Sequence, residues 1–495
     1  MKKKIFSIAA FALVMLTGCS VDINDNPNYP SKDAITPSLQ FPAVINAIAT
    51  STGDQMFNYA GFFSQYFEQA PEANQYNRLA ELDIDESSDL FNRTYRQLYA
   101  GALLDIKDIQ GKTTNTSNLF ALQVMRTLAF QLLVDNTDKT PYTEALQGSA
   151  VASPAYDDGQ AVYEGVLAEL DEAEKALGSE LMDMTDPMLD DNLAQWKGFA
   201  NAIRLRMYLR LIDGGVKAAD YTAKVKALLA ANEFFTGDVK WDVYDDTEGQ
   251  FNPWYGSIFK LNASNHVAAY PIVEYMKSMN DPRISYAISP RASDGTYVGQ
   301  FPGAKQANEV YGSTYKNVSV SFIATKDLHD APIYLFTQAE LQFLIAEAQL
   351  RFNNNVAAAK TAYEAGVAAD FSSRNVAGSD AFLSTEGSFD AQSTTDAKLK
   401  LIYMQKWNAL FMRDHMEAWS EIRRTDVPAI SSMTIKQIQA NPAGYSAGDL
   451  ILPYYNFKGN GGLCKSIPYS SDSRKYNNNT PTARAITDKV FWDAK

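Results

Sequence analysis

Cysteine is almost missing from this chain, with only Cys19 and Cys464 in 495 residues. If Cys19 is chemically modified, Cys464 has no partner and the mature chain holds no internal disulfide. Histidine is as sparse. His266, His329 and His415 are far apart, form no His-Glu-x-x-His motif and make no cluster with Cys464, so no zinc-hydrolase signature is present and no metal or cofactor is expected. The Gly-x-Gly-x-x-Gly and P-loop patterns of nucleotide cradles are absent. Basic residues are in deficit, 44 against 58 acids, for a net charge of −14, and no basic stripe runs along the chain. Such a surface repels nucleic acid and anionic lipid head groups. Strand-like alternation is also scarce.

Against these absences stands the N-terminus. Lys2, Lys3 and Lys4 precede a short apolar run from Ile5 to Leu16, closed by Leu16-Thr17-Gly18-Cys19. This is the layout of a secretory signal. The run is too short to cross a bilayer as a helix, which takes about 20 residues. Its last four residues resemble a bacterial lipobox, which implies that Cys19 is acylated and becomes the first mature residue. Each buried CH₂ contributes about 0.8 kcal/mol, so several acyl chains anchor a protein firmly. Without residues 1–18 the chain keeps 41 basic and 58 acidic residues, a net −17. Residues 19–36 are polar, Asn/Asp-rich and punctuated by Pro27 and Pro30, as in an extended tether. Asp22, Asn24 and Asn26 alternate like calcium ligands, but Pro27 stands where that loop needs Gly and the closing Glu is missing.

Helical periodicity dominates residues 37–495, which read as one mainly α domain with few short strands. Tyr163, Val166, Leu167, Leu170, Ala173 and Leu177 form one apolar stripe, and Trp196, Phe199, Ala200, Ile203 and Met207 form another. Asp186-Pro187 breaks between them, predicting a helix–loop–helix pair. A second pair runs through Leu341, Leu344, Ile345 and Ala348, turns at Asn353-Asn354-Asn355, and continues through Ala358, Ala362, Tyr363 and Val367. Small residues at the contact are similar to tetratricopeptide repeats. Further helices are predicted over Phe41–Phe67, Leu90–Ile109, Leu119–Asp135, Ala223–Ala231 and Ala397–Ile422. Strands are predicted at Val318–Ala324 and Ala331–Phe336. Long segments rich in Gly, Pro, Asn and Asp cover 238–266, 281–330, 377–395 and 430–476, and ordered loops of such length usually carry function.

A series of short motifs occurs in a telling order: the lipobox, Phe62-Phe63-Ser64-Gln65-Tyr66-Phe67, Pro141-Tyr142-Thr143-Glu144, Trp196-Lys197-Gly198-Phe199-Ala200-Asn201, Asp281-Pro282-Arg283 and Ala346-Glu347-Ala348. Gln405-Lys406-Trp407-Asn408, Glu417-Ala418-Trp419, Arg423-Arg424-Thr425, Ile467-Pro468-Tyr469 and Phe491-Trp492-Asp493 complete it. Each is weak alone, but in this order the chain resembles the SusD/RagB-like nutrient-binding outer-membrane lipoproteins. The resemblance implies a tetratricopeptide-like helical scaffold decorated with loops. It also implies a receptor that captures an oligosaccharide or peptide and closes over a SusC-like, TonB-dependent barrel. The motif residues themselves read as structural. Trp407 and Trp419 suit a helical core, Arg423 and Arg424 suit a helix C-terminus, and Asp281-Pro282-Arg283 suits a turn before an extended segment.

Sugar recognition calls for flat aromatic faces beside planar hydrogen-bonding groups. Two stretches have that mix: Gln65, Tyr66, Gln69, Asn74, Gln75, Tyr76 and Arg78; and Trp241, Tyr244, Phe251, Asn252, Trp254 and Tyr255. The same chemistry suits an extended peptide. The rival reading is a secreted, lipid-anchored glycoside hydrolase, which needs two carboxylates about 5–10 Å apart across a cleft. No segment arranges acids in that way. Gly444-Tyr445-Ser446-Ala447-Gly448 matches Gly-x-Ser-x-Gly, but Asn441-Pro442 precedes it and no His follows His415. Ser446 therefore reads as a loop serine, and no residue is assigned a catalytic role.

Overall fold

The computed structural model describes residues 35–71, 73–261, 265–303, 320–324 and 328–494. Cys19, the leader 1–18 and the tether up to residue 34 lie outside them. The first helix, α1 (Pro37–Thr52), starts on a proline whose fixed φ suits the first helical position. The single helix expected over Phe41–Phe67 is broken after Thr52. It resumes as α2 (Gln55–Phe63) and then turns into a short strand, β1 (Phe67–Gln69). Gly53 stands at the break, where a Cβ would come 2.4 Å from Ile333 Cδ1, so its bare backbone leaves room for the Ile333 side chain of the strand Ile333–Phe336.

Four helix pairs build the body. α3 (Thr116–Thr137) packs with α4 (Gly159–Lys175), and α5 (Leu193–Asp213) with α6 (Ala218–Ala231). After α7 (Tyr270–Ser278), α8 (Gln338–Phe352) packs with α9 (Val356–Ser373), and α10 (Thr395–Leu410) with α11 (His415–Thr425). The two stripes read as one pair lie on α4 and α5, but α4 packs chiefly on α3 and α5 chiefly on α6. Each helix does pair with a neighbour in sequence, but the pairs are α3/α4 and α5/α6, one helix out of step with the expected α4/α5 pair. The α8/α9 pair forms as expected, with the Asn355 side chain accepting from Ala358 N–H at 3.0 Å to start α9. The helix expected over Ala397–Ile422 is two helices. Met412 takes a left-handed φ of +58° and Asp414 accepts from Glu417 N–H at 3.0 Å, capping a new helix. Residues 92–110 form three consecutive helical pieces, Asn92–Arg96, a π-helical Gln97–Leu103 and Leu104–Gln110. α3 is long and apolar enough to cross a membrane, yet 89% of its apolar window is buried inside the protein, which makes it a core helix.

Strands are few and short. β1, β3 (His266–Ala268), β5 (Phe322–Ile323) and β4 (Ile288–Ser289) form one sheet in the order β1-β3-β5-β4. β2 (Val239–Trp241) pairs antiparallel with β6 (Ile333–Phe336). Of the strand expected over Val318–Ala324, residues 318 and 319 lie outside the described set and only Phe322–Ile323 forms strand, as β5.

Ion pairs stitch the helix pairs together from inside. Arg206 meets Glu340 at 2.6 Å and Glu417 at 3.3 Å, and Arg210 meets Asp135 and Glu417, each at 2.6 Å. Arg424 meets Glu347 at 2.7 Å and Asp213 at 2.5 Å, while Lys406 pairs with Glu421. Arg423 donates to the carbonyls of Asp135 and Lys465, and its guanidinium lies 3.6 Å from the Trp419 ring centroid. Arg423 and Arg424 thus lie in the last turn of α11, as expected, and are buried there as anchors. Arg283 likewise does not lead into an extended segment. It is fully buried, pairs with Asp281 and Asp370, and starts the helical turn Ile284–Ala287 before β4. Trp407 and Trp419 are core residues, donating to Ser64 O at 3.1 Å and Cys464 O at 3.0 Å.

Candidate functional site

The first aromatic-polar stretch divides at its middle. Gln65 and Tyr66 are buried. Tyr66 is wedged against Trp407 and Phe411, with ring centroids at 5.5 and 4.9 Å, and its hydroxyl donates to Trp407 O. Gln69 is also buried and accepts from Tyr76 N–H at 2.5 Å. These three hold the chain and offer no face to a ligand. Asn74, Gln75 and Arg78 are exposed and Tyr76 is half-buried, its ring against His266 at 4.6 Å. Burial pushes the Tyr76 hydroxyl up to about 12, so it stays a neutral donor.

The second stretch is mostly turned inward. Trp241 lies in β2 and donates to Asn46 Oδ1 at 3.1 Å. Trp254 is 3% exposed, donates to Asn58 Oδ1 at 3.3 Å and stacks on Phe67 and Phe259. Asn252 is buried as a loop brace, its amide donating to Ala331 O at 2.8 Å. Tyr244 and Tyr255 are half-buried. These aromatics do not stand in an open loop as expected: β2 pairs with β6, and the turn that follows packs the Trp254 indole under α2. Trp254 and Asn252 do line a cleft beside Arg413. The two stretches do not form one surface.

A third group, within the long loop 430–476, supplies the exposed rings. Phe457 is 58% and Tyr454 37% exposed. Tyr455 and Phe457 lie with ring planes 4° apart and centroids 5.8 Å apart, and Tyr454 stands edge-on to Tyr455 at 4.9 Å. Backbone bonds fix this strip in place. Phe457 N–H donates to Glu81 O at 3.0 Å, Lys458 N–H to Leu82 O at 3.1 Å, and Tyr454 N–H to Pro302 O at 2.9 Å. Lys458 Nζ reaches Asp85 at 2.6 Å and Asp83 at 3.6 Å, and Arg78 reaches Asp85 at 3.0 Å. The hydrogen bond from Lys458 is the first cause holding the Asp85 carboxyl well below the usual range, with Ser87 and Arg78 adding to it. Lys458, next to Phe457, thus links the strip through Asp85 to Arg78, a residue of the expected set. The signal for it was present in the sequence: three aromatics in four residues, followed by Gly459-Asn460-Gly461-Gly462.

Two of the histidines, Cys464 and Ser446 each have defined surroundings. His266 and His415 are buried and held near 3 by burial, so both are neutral. His266 bonds Asn58 at 2.8 Å. His415 stacks on Phe57 and accepts from Met412 N–H at 3.0 Å. Burial pushes the Cys464 thiol up to about 12. Ser446 follows the short turn Pro442–Gly444 and no strand, so it does not sit on a nucleophile elbow.

The sequence matches, over residues 27–444, the SusD-like family described as starch-binding and associating with the outer membrane. No curated protein matches it. Among solved structures, a SusD homologue from Bacteroides uniformis is 19% identical with a TM-score of 0.69, covering 92% of this chain and 99% of its own. A chitin-binding SusD homologue from Flavobacterium johnsoniae is 20% identical with a TM-score of 0.72, covering 92% and 98%. A SusD homologue from Bacteroides fragilis is 16% identical with a TM-score of 0.73, covering 93% and 100%. At these identities the structures speak for the fold.

Proposed function

The chain belongs to the SusD-like family, and from that premise we propose that it is an outer-membrane lipoprotein that captures an oligosaccharide and delivers it, unaltered, to a SusC-like TonB-dependent transporter. In this reading Cys19 carries the lipid, residues 19–36 form the tether, and residues 37–495 act as one receptor domain facing the outside of the cell. The observation that carries the choice of ligand is the exposed strip Tyr454–Tyr455–Phe457, braced against Arg78, Asp83, Asp85 and Lys458. Rings of this kind cover the C–H faces of a sugar, and the charged and amide groups beside them satisfy its hydroxyls. The starch-binding description of the family and the chitin-binding relative support a glycan over a peptide.

A glycosidase needs a carboxylic acid that keeps its proton near neutral pH. Asp85 is biased the opposite way, held ionised by Lys458 and Arg78. The test is titration of the purified chain with starch-type and chitin-type oligosaccharides and with peptides, followed by mass spectrometry of the recovered ligand. Saturable glycan binding with the ligand intact supports capture, and shortened ligand overturns it. A barrel that co-purifies from solubilised membranes supports the transporter partnership, and its repeated absence counts against it.

A further inference from the structure

A second cleft, separate from the aromatic strip, opens where α10 gives way to α11. Its empty space, mouth included, is about 610 Å³. Phe57, Trp254, Ile333 and Met412 form apolar walls, and Tyr286 and Arg413 bring the polar groups. The break between α10 and α11 delivers Arg413 here, next to the left-handed Met412.

Arg413 is 6% exposed and makes no ion pair among the described residues. Its Nη1 donates to Tyr286 Oη at 3.0 Å and Met412 O at 3.1 Å, and its Nη2 donates to Ser373 O at 3.2 Å. All three acceptors are neutral, and Nε has none. A guanidinium carries five N–H donors, so Nε–H and one Nη2–H remain, the adjacent edge that grips a carboxylate side-on. Arg283 pairs with Asp281 and Asp370, and Arg374 pairs with the same Asp370 at 2.8 Å, so two buried guanidiniums already use both carboxylates and, among the described residues, none is left for Arg413. Burial lowers the proton affinity of Arg374, and the nearby charge of Arg413 lowers it further. Buried charge is tolerated when paired, and here the pairing is incomplete beside an open, apolar cleft.

We propose that this cleft is a binding site for a carboxylate with a small apolar body, its head on Arg413 and its body between Trp254, Phe57 and Ile333. The chain as a whole is acidic, so attraction by overall charge does not explain such binding, and the local excess of guanidinium does.

The probe is 3-phenylpropionate, set against its neutral, nearly isosteric amide, with the purified full-length chain followed by calorimetry and by tryptophan fluorescence, since Trp254 lines the cleft. The acid is expected to saturate and to bind at least tenfold more tightly than the amide. Ala331→Phe, which puts a ring in the mouth while keeping the backbone carbonyl that Asn252 holds, is expected to abolish binding of the acid. Equal affinity for acid and amide, no binding of the acid, or undiminished binding to a folded Ala331→Phe each overturns the proposal. If Ala331→Phe does not fold, the acid-to-amide ratio on the unaltered chain decides.

Discussion

Gln65 and Ile451, 386 positions apart, exchange two hydrogen bonds: Gln65 Nε2 donates to Ile451 O at 2.7 Å, and Ile451 N–H donates to Gln65 Oε1 at 2.8 Å. A side-chain amide thus stands in for a neighbouring strand, tying the end of α2 to the loop that carries Tyr454 and Phe457. Gln65 also holds a left-handed φ of +52°.

Gln65→Ala is expected to leave both backbone groups of Ile451 buried and unpaired, at a cost of about 1–3 kcal/mol. Gln65→Glu should cost more, because one carboxylate oxygen would then face the Ile451 carbonyl. Chemical denaturation checks the order, and loss of glycan affinity in the still-folded Gln65→Ala variant would show that the clamp positions the aromatic strip.

Removing one side of a buried ion pair should be far worse than removing both. Arg206→Met strands Glu340, which is fully buried, and is expected to cost roughly 3–5 kcal/mol. The double replacement Arg206→Met with Glu340→Leu should recover most of that loss. Urea midpoints of the three chains test this, and a double variant as unstable as the single one would refute it.

Stability should fall in mild acid. His266 and His415 titrate near 3 in the folded chain, because burial penalises the charged ring, against about 6.5 when unfolded. The folded state therefore binds fewer protons between those values. The stabilisation is complete above pH 6.5 and is lost as pH drops toward 3, by roughly 1 kcal/mol per pH unit for each histidine. Denaturation midpoints from pH 7 to pH 4 read the slope, and His266→Gln should flatten it.

Tyr454→Ala and Phe457→Ala should each weaken glycan binding by roughly 1 kcal/mol, several-fold in Kd, with little change in melting temperature because both rings are largely outside the core. Trp254→Phe should do the reverse, lowering stability and sparing glycan affinity. Titration and thermal melts on the same preparations separate the two patterns.

Cys19→Ser is expected to release the protein from the membrane fraction and to abolish incorporation of labelled palmitate. Retention in the membrane with no label would defeat the anchor assignment.

Local sequence was enough for the helical scaffold, the α8/α9 pair, the core roles of Trp407 and Trp419, and the family, because apolar spacing and motif order are properties of the chain itself. It could not tell Trp254 from Phe457. Both sit among Asn, Gly and Tyr in segments without helical periodicity, yet one is sealed beneath α2 and the other stands in solvent. Exposure was decided by partners far away: Phe67 and Asn58 for Trp254, the backbone of Glu81 and Leu82 for the loop of Phe457. The same holds for the helix breaks at Gly53 and Met412 and for the burial of Arg413. Whether a ring or a charge is buried depends on which distant surfaces meet over it, and only the assembled fold brings those surfaces together.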